Sequence, residues 1–390
     1  MKKFFLFAFV FLTFCVAEVS AAHYLVGRVN NSLDGVLADG HTVVVWNPDY
    51  GISENVTDTV GPSGNSGSNN YYMVDCESLA HPCAVGDTLY SKVLNTGDYH
   101  NSENVSVDVT GAGYDVLPPI LLNSPINVSS VLVDDSILSP LNQIDLVTAS
   151  TRKVTCTSVM EDPEGGPVLN ASARLFSLGS SYDSLDDNST HYTNSSCFVN
   201  SSYSGNTSLV NCTFEVFYYA NPGNWTCLTS AQDNLSMGGN STDDTFINPL
   251  LSVGVQSEID FGSVGVGSIS DEKIVNVTNY GNVAINLSLY GYGQTPGDNL
   301  AMNCTIGNIS IGDERYNLTS PNPGQITISQ FDSNYQNLTS VYTVRNFGLN
   351  KKNNSFNATK PTYWRMRLHP GITGNCSGSV VFGASSQGGV

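Results

Sequence analysis

Three kinds of side chain in this sequence have types and spacings that could do chemistry. The first is the Asn-x-Ser/Thr triplet, whose amide can accept a sugar. It occurs 22 times, from Asn30 to Asn375. With 41 Asn and 77 Ser plus Thr in 390 residues, composition alone accounts for about 8. The second is cysteine, nine residues without a Cys-x-x-Cys or a Cys/His spacing suited to zinc. The third is the carboxylates Asp162, Glu164 and Asp233. If the two segments that carry them turn at the same end of a domain, their oxygens could converge on Ca²⁺, a hard cation that takes oxygen ligands. The alternative is two ordinary acidic turns.

Other chemistry is not written here. The six histidines (His23, His41, His81, His100, His191, His369) include no pair at ligand spacing. No nucleophile elbow, phosphate-cradling glycine loop or zincin helix occurs. The pairs Asp134-Asp135, Asp186-Asp187 and Asp243-Asp244 read as solvated turns in polar loops. No catalytic, cofactor-binding or metal residue is assigned and no cofactor is expected.

The elements that must hold these residues read as strands. In a strand, residues i and i+2 share a face and the residue between them takes the other. Asn276-Val277-Thr278, Asn286-Leu287-Ser288, Asn308-Ile309-Ser310, Asn317-Leu318-Thr319 and Asn337-Leu338-Thr339 therefore place Asn and hydroxyl outside and the apolar residue inside. Asn211-Cys212-Thr213, Asn224-Trp225-Thr226, Asn303-Cys304-Thr305 and Asn375-Cys376-Ser377 follow the same pattern. Short alternating runs separated by Gly, Pro, Asn and Asp recur along the chain, with no convincing amphipathic helix, which is the pattern of an all-β sandwich protein.

The first residues have the layout of a secretory signal: Lys2 and Lys3, an apolar run from Phe4 to Val16, and small residues at Ser20, Ala21 and Ala22. Cleavage near Ala21 or Ala22 removes Cys15 and leaves eight cysteines for an oxidising compartment. Local context suggests how they pair. Cys156 and Cys227 lie in central strands about 70 residues apart, which suits the bridge between the sheets of an immunoglobulin-like sandwich. Cys197 and Cys212 lie within that loop and close a hairpin, Cys76 and Cys83 enclose a small loop, and Cys304 and Cys376 remain for the last domain. The chain carries a formal charge of −19 with only 13 % charged residues. Such a surface repels nucleic acid and anionic lipid. No second apolar run reaches the roughly 20 residues of a membrane span.

The expected organisation is a signal peptide over 1–22, three tandem antiparallel β-sandwich domains over 23–123, 124–250 and 251–384, and a flexible tail over 385–390. Residues 23–123 carry Gly27-Arg28-Val29, Asp34-Gly35, Gly40 with Thr42-Val43-Val44-Val45-Trp46, and Val85-Gly86-Asp87-Thr88. This order resembles the carboxypeptidase regulatory-like, transthyretin-type sandwich, an accessory rather than a catalytic unit. It is interrupted by a Gly/Ser/Asn-rich insertion from Asp49 to Asn70, expected to be a mobile loop. Residues 251–384 carry Phe261-Gly262-Ser263-Val264-Gly265-Val266-Gly267 and Val277-Thr278-Asn279-Tyr280-Gly281-Asn282. These resemble the signatures of hydin-like immunoglobulin domains, which implies Phe261 as a core anchor and Gly281-Asn282 as a hairpin turn. Trp364, Met366 and Leu368 are expected to point inward, with Arg365 and Arg367 outward. The three units in this order resemble a secreted archaeal surface protein.

These readings imply a non-catalytic extracellular or cell-surface glycoprotein with a structural or adhesive role. Its expected partners are other envelope or extracellular proteins or glycans. The alternative is an extracellular carbohydrate- or protein-binding module, which an exposed row of aromatic residues would favour. Trp46, Trp225 and Trp364 alternate with apolar neighbours and are expected in cores.

Overall fold

A computed structural model describes residues 22–31, 38–94, 101–135, 142–163, 165–233, 237–353 and 358–387. The signal segment, Glu164, and the sequon asparagines Asn234 and Asn357 lie outside the described residues. The chain is all-β, and its strands form three groups of sheets, each contiguous in sequence.

In the first group Tyr24–Asn31 lies between Tyr71–Asp75 and Ile120–Asn123, and Tyr114–Val116 also pairs with it. The pairings with Tyr114–Val116 and Ile120–Asn123 are parallel, a departure from the expected antiparallel sheets. The facing sheet runs Asn55–Thr59, Thr42–Trp46, Thr88–Val93, Val105–Asp108. Alternation explains the core: Leu25, Val29, Val43, Val45, Tyr72, Val74 and Leu89 are all buried between the sheets. The insertion from Asp49 to Asn70 is not the loose loop its composition suggests. Its strand Asn55–Thr59 extends the sheet, and the buried Asp58 carboxylate accepts from Asn65 N (2.9 Å) and Met73 N (2.8 Å). A carboxylate that accepts two backbone donors ties the segment down.

The second group packs the sheet Asn127–Asp134, Thr151–Glu161, Thr207–Phe217, Phe198–Ser204 against one containing Gly238–Ile247, Gly223–Gln232, Leu169–Ser177 and His191–Asn194. Thr151–Glu161 pairs with Thr207–Phe217 over its whole length. Trp225, Cys156 and Cys227 are fully buried.

The third group has a sheet Val253–Val255, Lys273–Asn279, Thr359–Met366, Glu314–Asn317, Gln336–Asn337. Two three-stranded sheets complete it, one centred on Ile285–Tyr292 and one on Leu300–Ile306. Phe261, Val275, Val277, Leu287, Leu289, Tyr316 and Trp364 fill the core, as expected for Phe261 and Trp364. The last strand, Ser379–Ser386, runs past the expected boundary at 384: Ser385 and Ser386 pair with Asn286 and Ile285.

Two expectations fail here. Gly281-Asn282 does not close a hairpin, because Lys273–Asn279 pairs with Thr359–Met366 and Ile285–Tyr292 belongs to a different sheet. The turn instead docks the chain at 248–250. Asn282 accepts from Leu250 N (2.7 Å) and donates to Asn248 O (3.1 Å). A Cβ on Gly281 would stand 2.0 Å from Leu250 O, so only glycine fits this approach. The second is a short α-helix, Ile328–Asn334, whose seven residues are too few to show amphipathic periodicity. Its start is a capping box, with Thr327 accepting from Gln330 N and the Gln330 side chain accepting from Thr327 N. Phe331 is fully buried beneath it.

The chain divides into two compact units. One is Met1–Ile126 with the loop segments Asp162–Pro167 and Gln232–Gly238. The other is Asn127–Glu161, Val168–Ala231 and Gly239–Val390. Among the described residues no helix is long and apolar enough to cross a membrane.

Candidate functional site

The sequons are the most numerous candidate sites, and the strands place them on the outside. Of the 22 asparagines, 20 are described, and none of these 20 is buried. Among the described residues four asparagines are buried, Asn47, Asn123, Asn279 and Asn282, and all lie outside sequons. The residue between acceptor and hydroxyl goes inward as alternation requires: Cys212, Trp225, Val277, Leu287, Ile309, Leu318 and Leu338 are buried. Ser288 is an exception, buried although it alternates with the buried Leu287.

All eight cysteines pair as local context suggests: Cys76–Cys83, Cys156–Cys227, Cys197–Cys212 and Cys304–Cys376. Cys156–Cys227 joins the two sheets of the second group. Cys197–Cys212 closes the hairpin of Phe198–Ser204 and Thr207–Phe217.

Of the carboxylates weighed for calcium, Asp233 is engaged by protein donors. Asp162 and Asp233 are both buried, and their loops fall in the same compact unit. Asp233 accepts from the Asn123 side chain and from Met237 N (2.8 Å). Gly165 N donates to Asp162 O (2.9 Å). Among the described residues no group of three or more His, Cys, Asp or Glu is placed to hold a metal ion.

Of the acidic pairs, Asp186-Asp187 lies in a loop with Asp186 exposed, whereas Asp134-Asp135 and Asp243-Asp244 are not solvated turns. Asp135 is buried and accepts from Asp145 N, with Arg152 Nε 3.6 Å away. Asp187 takes Ser189 N, Thr190 N and Oγ1, and His191 N. Burial raises its pKa, but these hydrogen bonds outweigh it and hold the carboxyl below its usual range. Asp243 and Asp244 lie in the strand Gly238–Ile247, accepting from Val133 N (2.9 Å) and Thr226 Oγ1 (2.6 Å). Four histidines each meet a carboxylate and no Ser or Cys: His23 with Asp115, His81 with Glu54, His191 with Asp186 and His369 with Asp313.

The third group holds two buried polar features. Arg365, expected to face outward, is 1 % exposed. It does alternate away from Trp364, but its own face is roofed by the helix and the preceding loop. Its guanidinium donates to Ser270 O (2.7 Å), Asn322 O (2.6 Å), Gly324 O (2.8 Å) and Tyr335 Oη (3.0 Å). Tyr335 in turn donates to Glu272. Desolvation, then the bond to Glu272, pushes the Tyr335 phenol up to about 12.

Glu314 is the second. It sits opposite Met366 in Glu314–Asn317, 1 % exposed, and its Oε1 has no hydrogen-bond partner among the described residues. Burial alone pushes its carboxyl up to about 8. It lines a cavity of about 320 Å³ with Ile259, Phe261, Met302, Val380 and Phe382. A second hollow, about 540 Å³, shares Glu258, Ile259, Phe261, Met302 and Cys376 with it. Sequence reasoning missed Glu314, although a signal existed: the alternation Glu314, Tyr316, Leu318 puts it on the inward face.

The aromatic residues divide. Trp46, Trp225 and Trp364 are buried in cores, as expected. On the outer face of the first group, Tyr24 pairs with Tyr114 and Val26 with both Val116 and Met73. Tyr114 is 60 % and Val116 63 % exposed, with Tyr24 and Tyr71 also open.

No family profile and no curated protein matches the chain. Among solved structures it is similar to the T6 backbone pilin of serotype M6 Streptococcus pyogenes (8 % identity, 95 % of this chain and 97 % of that one, TM-score 0.28). It is also similar to BcpA, the major pilin subunit of Bacillus cereus (7 %, 70 % and 77 %, 0.29). A third is a Ca²⁺-stabilized adhesin of an Antarctic bacterium (11 %, 95 % and 74 %, 0.22). Likeness at this level carries no functional argument.

Proposed function

We propose that this chain is a non-catalytic extracellular or cell-surface glycoprotein with a structural or adhesive role. The observation that carries the reading is the segregation of its asparagines. Every described sequon asparagine is accessible, and every described buried asparagine is outside a sequon. Sugars on these faces would supply the solubility that its few charged residues do not. Four disulfides suit an oxidising compartment. Within this reading residues 1–22 are a cleaved signal, and 23–123, 124–250 and 251–384 are three sandwich domains. The first keeps its resemblance to the carboxypeptidase regulatory-like sandwich, the last its resemblance to hydin-like domains, and the whole its archaeal character. Protease treatment of intact source cells tests the location: release of the chain without lysis is expected, and full protection would overturn it.

One observation favours a binding module beside it. The face bearing Tyr24, Tyr114, Val26 and Val116 gathers apolar side chains on adjacent strands, and aromatic faces stack on sugars and on protein partners. Replacing both Tyr24 and Tyr114 by Ser would abolish adhesion to a glycan or protein ligand under this second reading and leave it intact under the first.

A further inference from the structure

The third group contains a cavity whose chemistry the surface role does not use. Its lining mixes apolar side chains (Ile259, Phe261, Met302, Val380 and Phe382) with polar ones (Gln256, Ser257, Ser377 and Ser379) and two carboxyls, on Glu314 and Glu258. A buried polar group without a partner costs roughly 1–3 kcal/mol, so a chain that keeps one there has a use or a compensation for it. Among the described residues no protein group hydrogen-bonds Glu314 Oε1. Neither hollow is lined by a Lys, Arg or His. Their titratable lining is Glu314, Glu258 and, in the larger hollow, Asp260. Segment by segment, the elements packed around Glu314 offer Glu258 from 255–261, Met302 from Leu300–Ile306, Cys376 and Ser377 from Thr373–Ser377, and Val380 and Phe382 from Ser379–Ser386. Only Glu258 among these titrates. An anion would therefore meet carboxyls alone, and a wholly apolar guest would leave Glu314 unpaired. A cation on an apolar body satisfies both the walls and the carboxyl.

We propose that the cavity against Glu314 binds a small amphiphilic primary amine, its aliphatic body among Ile259, Phe261, Met302, Val380 and Phe382 and its ammonium against the Glu314 carboxylate. The volume of about 320 Å³ lies at the lower end of the range of ligand pockets. Without a guest beside it, desolvation keeps Glu314 protonated at neutral pH, up to about pH 8. An ammonium at hydrogen-bond distance favours the charged form, so binding expels the proton of Glu314 to solvent and leaves an ion pair. Affinity for the amine then rises with pH, about tenfold per unit below pH 8, and levels off above it. No bond to carbon is made or broken.

The test is calorimetric titration of the full chain with n-hexylamine, 1-hexanol and hexanoate between about pH 6 and 9. Hexylamine is expected to bind tightest, with release of close to one proton below pH 8, and hexanol weakly at all pH values. In Glu314→Gln the amine is expected to fall at least tenfold at pH 8, to the level of hexanol, with hexanol itself unchanged. The proposal is overturned if hexylamine does not bind, if its affinity is flat with pH, if hexanoate binds better, or if Glu314→Gln binds the amine as the unaltered chain does. The pH profile of the unaltered chain decides the matter even where the variant fails to fold.

Discussion

Replacing Glu314 by Gln exchanges a carboxyl held wholly out of water for an amide of nearly the same shape that does not titrate. The carboxyl titrates at 4.5 in the open chain and at about 8 in the fold. Between these values the folded chain holds a proton that the unfolded chain has lost, so folding takes up protons and stability falls as pH rises. Stability from this group is fully present below pH 4.5 and is lost progressively up to pH 8. At 1.36 kcal/mol per pH unit the loss is about 3 kcal/mol at pH 7 and about 5 kcal/mol above pH 8. Glu314→Gln should therefore match the unaltered chain near pH 4 and exceed it by about 3 kcal/mol at pH 7. Urea denaturation followed by tryptophan emission reads this, because Trp364 is fully buried with its ring centroid 5.5 Å from that of Phe382 on the cavity wall. A difference between the two chains that does not change with pH, or a glutamine variant less stable at pH 7, would refute the reasoning.

Cys156→Ser with Cys227→Ser opens a loop of 71 residues and should cost about 4 kcal/mol, against about 2 kcal/mol for the 7-residue loop of Cys76–Cys83; chemical denaturation ranks the two. Arg365→Leu strands the carbonyls of Ser270, Asn322 and Gly324 and the Tyr335 hydroxyl, so a loss of at least about 3 kcal/mol is expected in the same assay. Arg365→Lys should recover only part of it, since one ammonium cannot span four acceptors. Thr327→Ala removes the helix cap and should cost about 1 kcal/mol, seen as a small fall in the unfolding midpoint.

Strand patterning and cysteine context were legible in the sequence because both are local. Alternation through Asn276-Val277-Thr278 and its counterparts gave the outward faces of the strands, and the four bridges followed from neighbouring residues. What was not legible depends on what covers a second face. Arg365 alternates outward from its own sheet, yet the helix Ile328–Asn334 and the loop before it close over it. Glu314 was readable by alternation with Tyr316 and Leu318, but its type argued for the surface. Asp135, Asp162 and Asp233 look like turn residues by composition, and their burial is set by segments distant in sequence. The Gly281-Asn282 turn has hairpin chemistry, but its asparagine is spent on Asn248 and Leu250. The short helix escaped because seven residues carry little periodicity, although Thr327-Ile328-Ser329-Gln330 is a capping-box signature.

The central claim is a sugar-bearing, disulfide-stapled extracellular chain. Its most direct test is the intact mass of native material before and after enzymatic or chemical deglycosylation, and again after reduction. The account predicts a mass well above that of the mature polypeptide, collapsing on deglycosylation. Glycopeptides should map to exposed sequons such as Asn55, Asn276 and Asn337, and a further gain of about 2 Da per bridge should follow on reduction of all four. A bare polypeptide mass with thiols already free would contradict it.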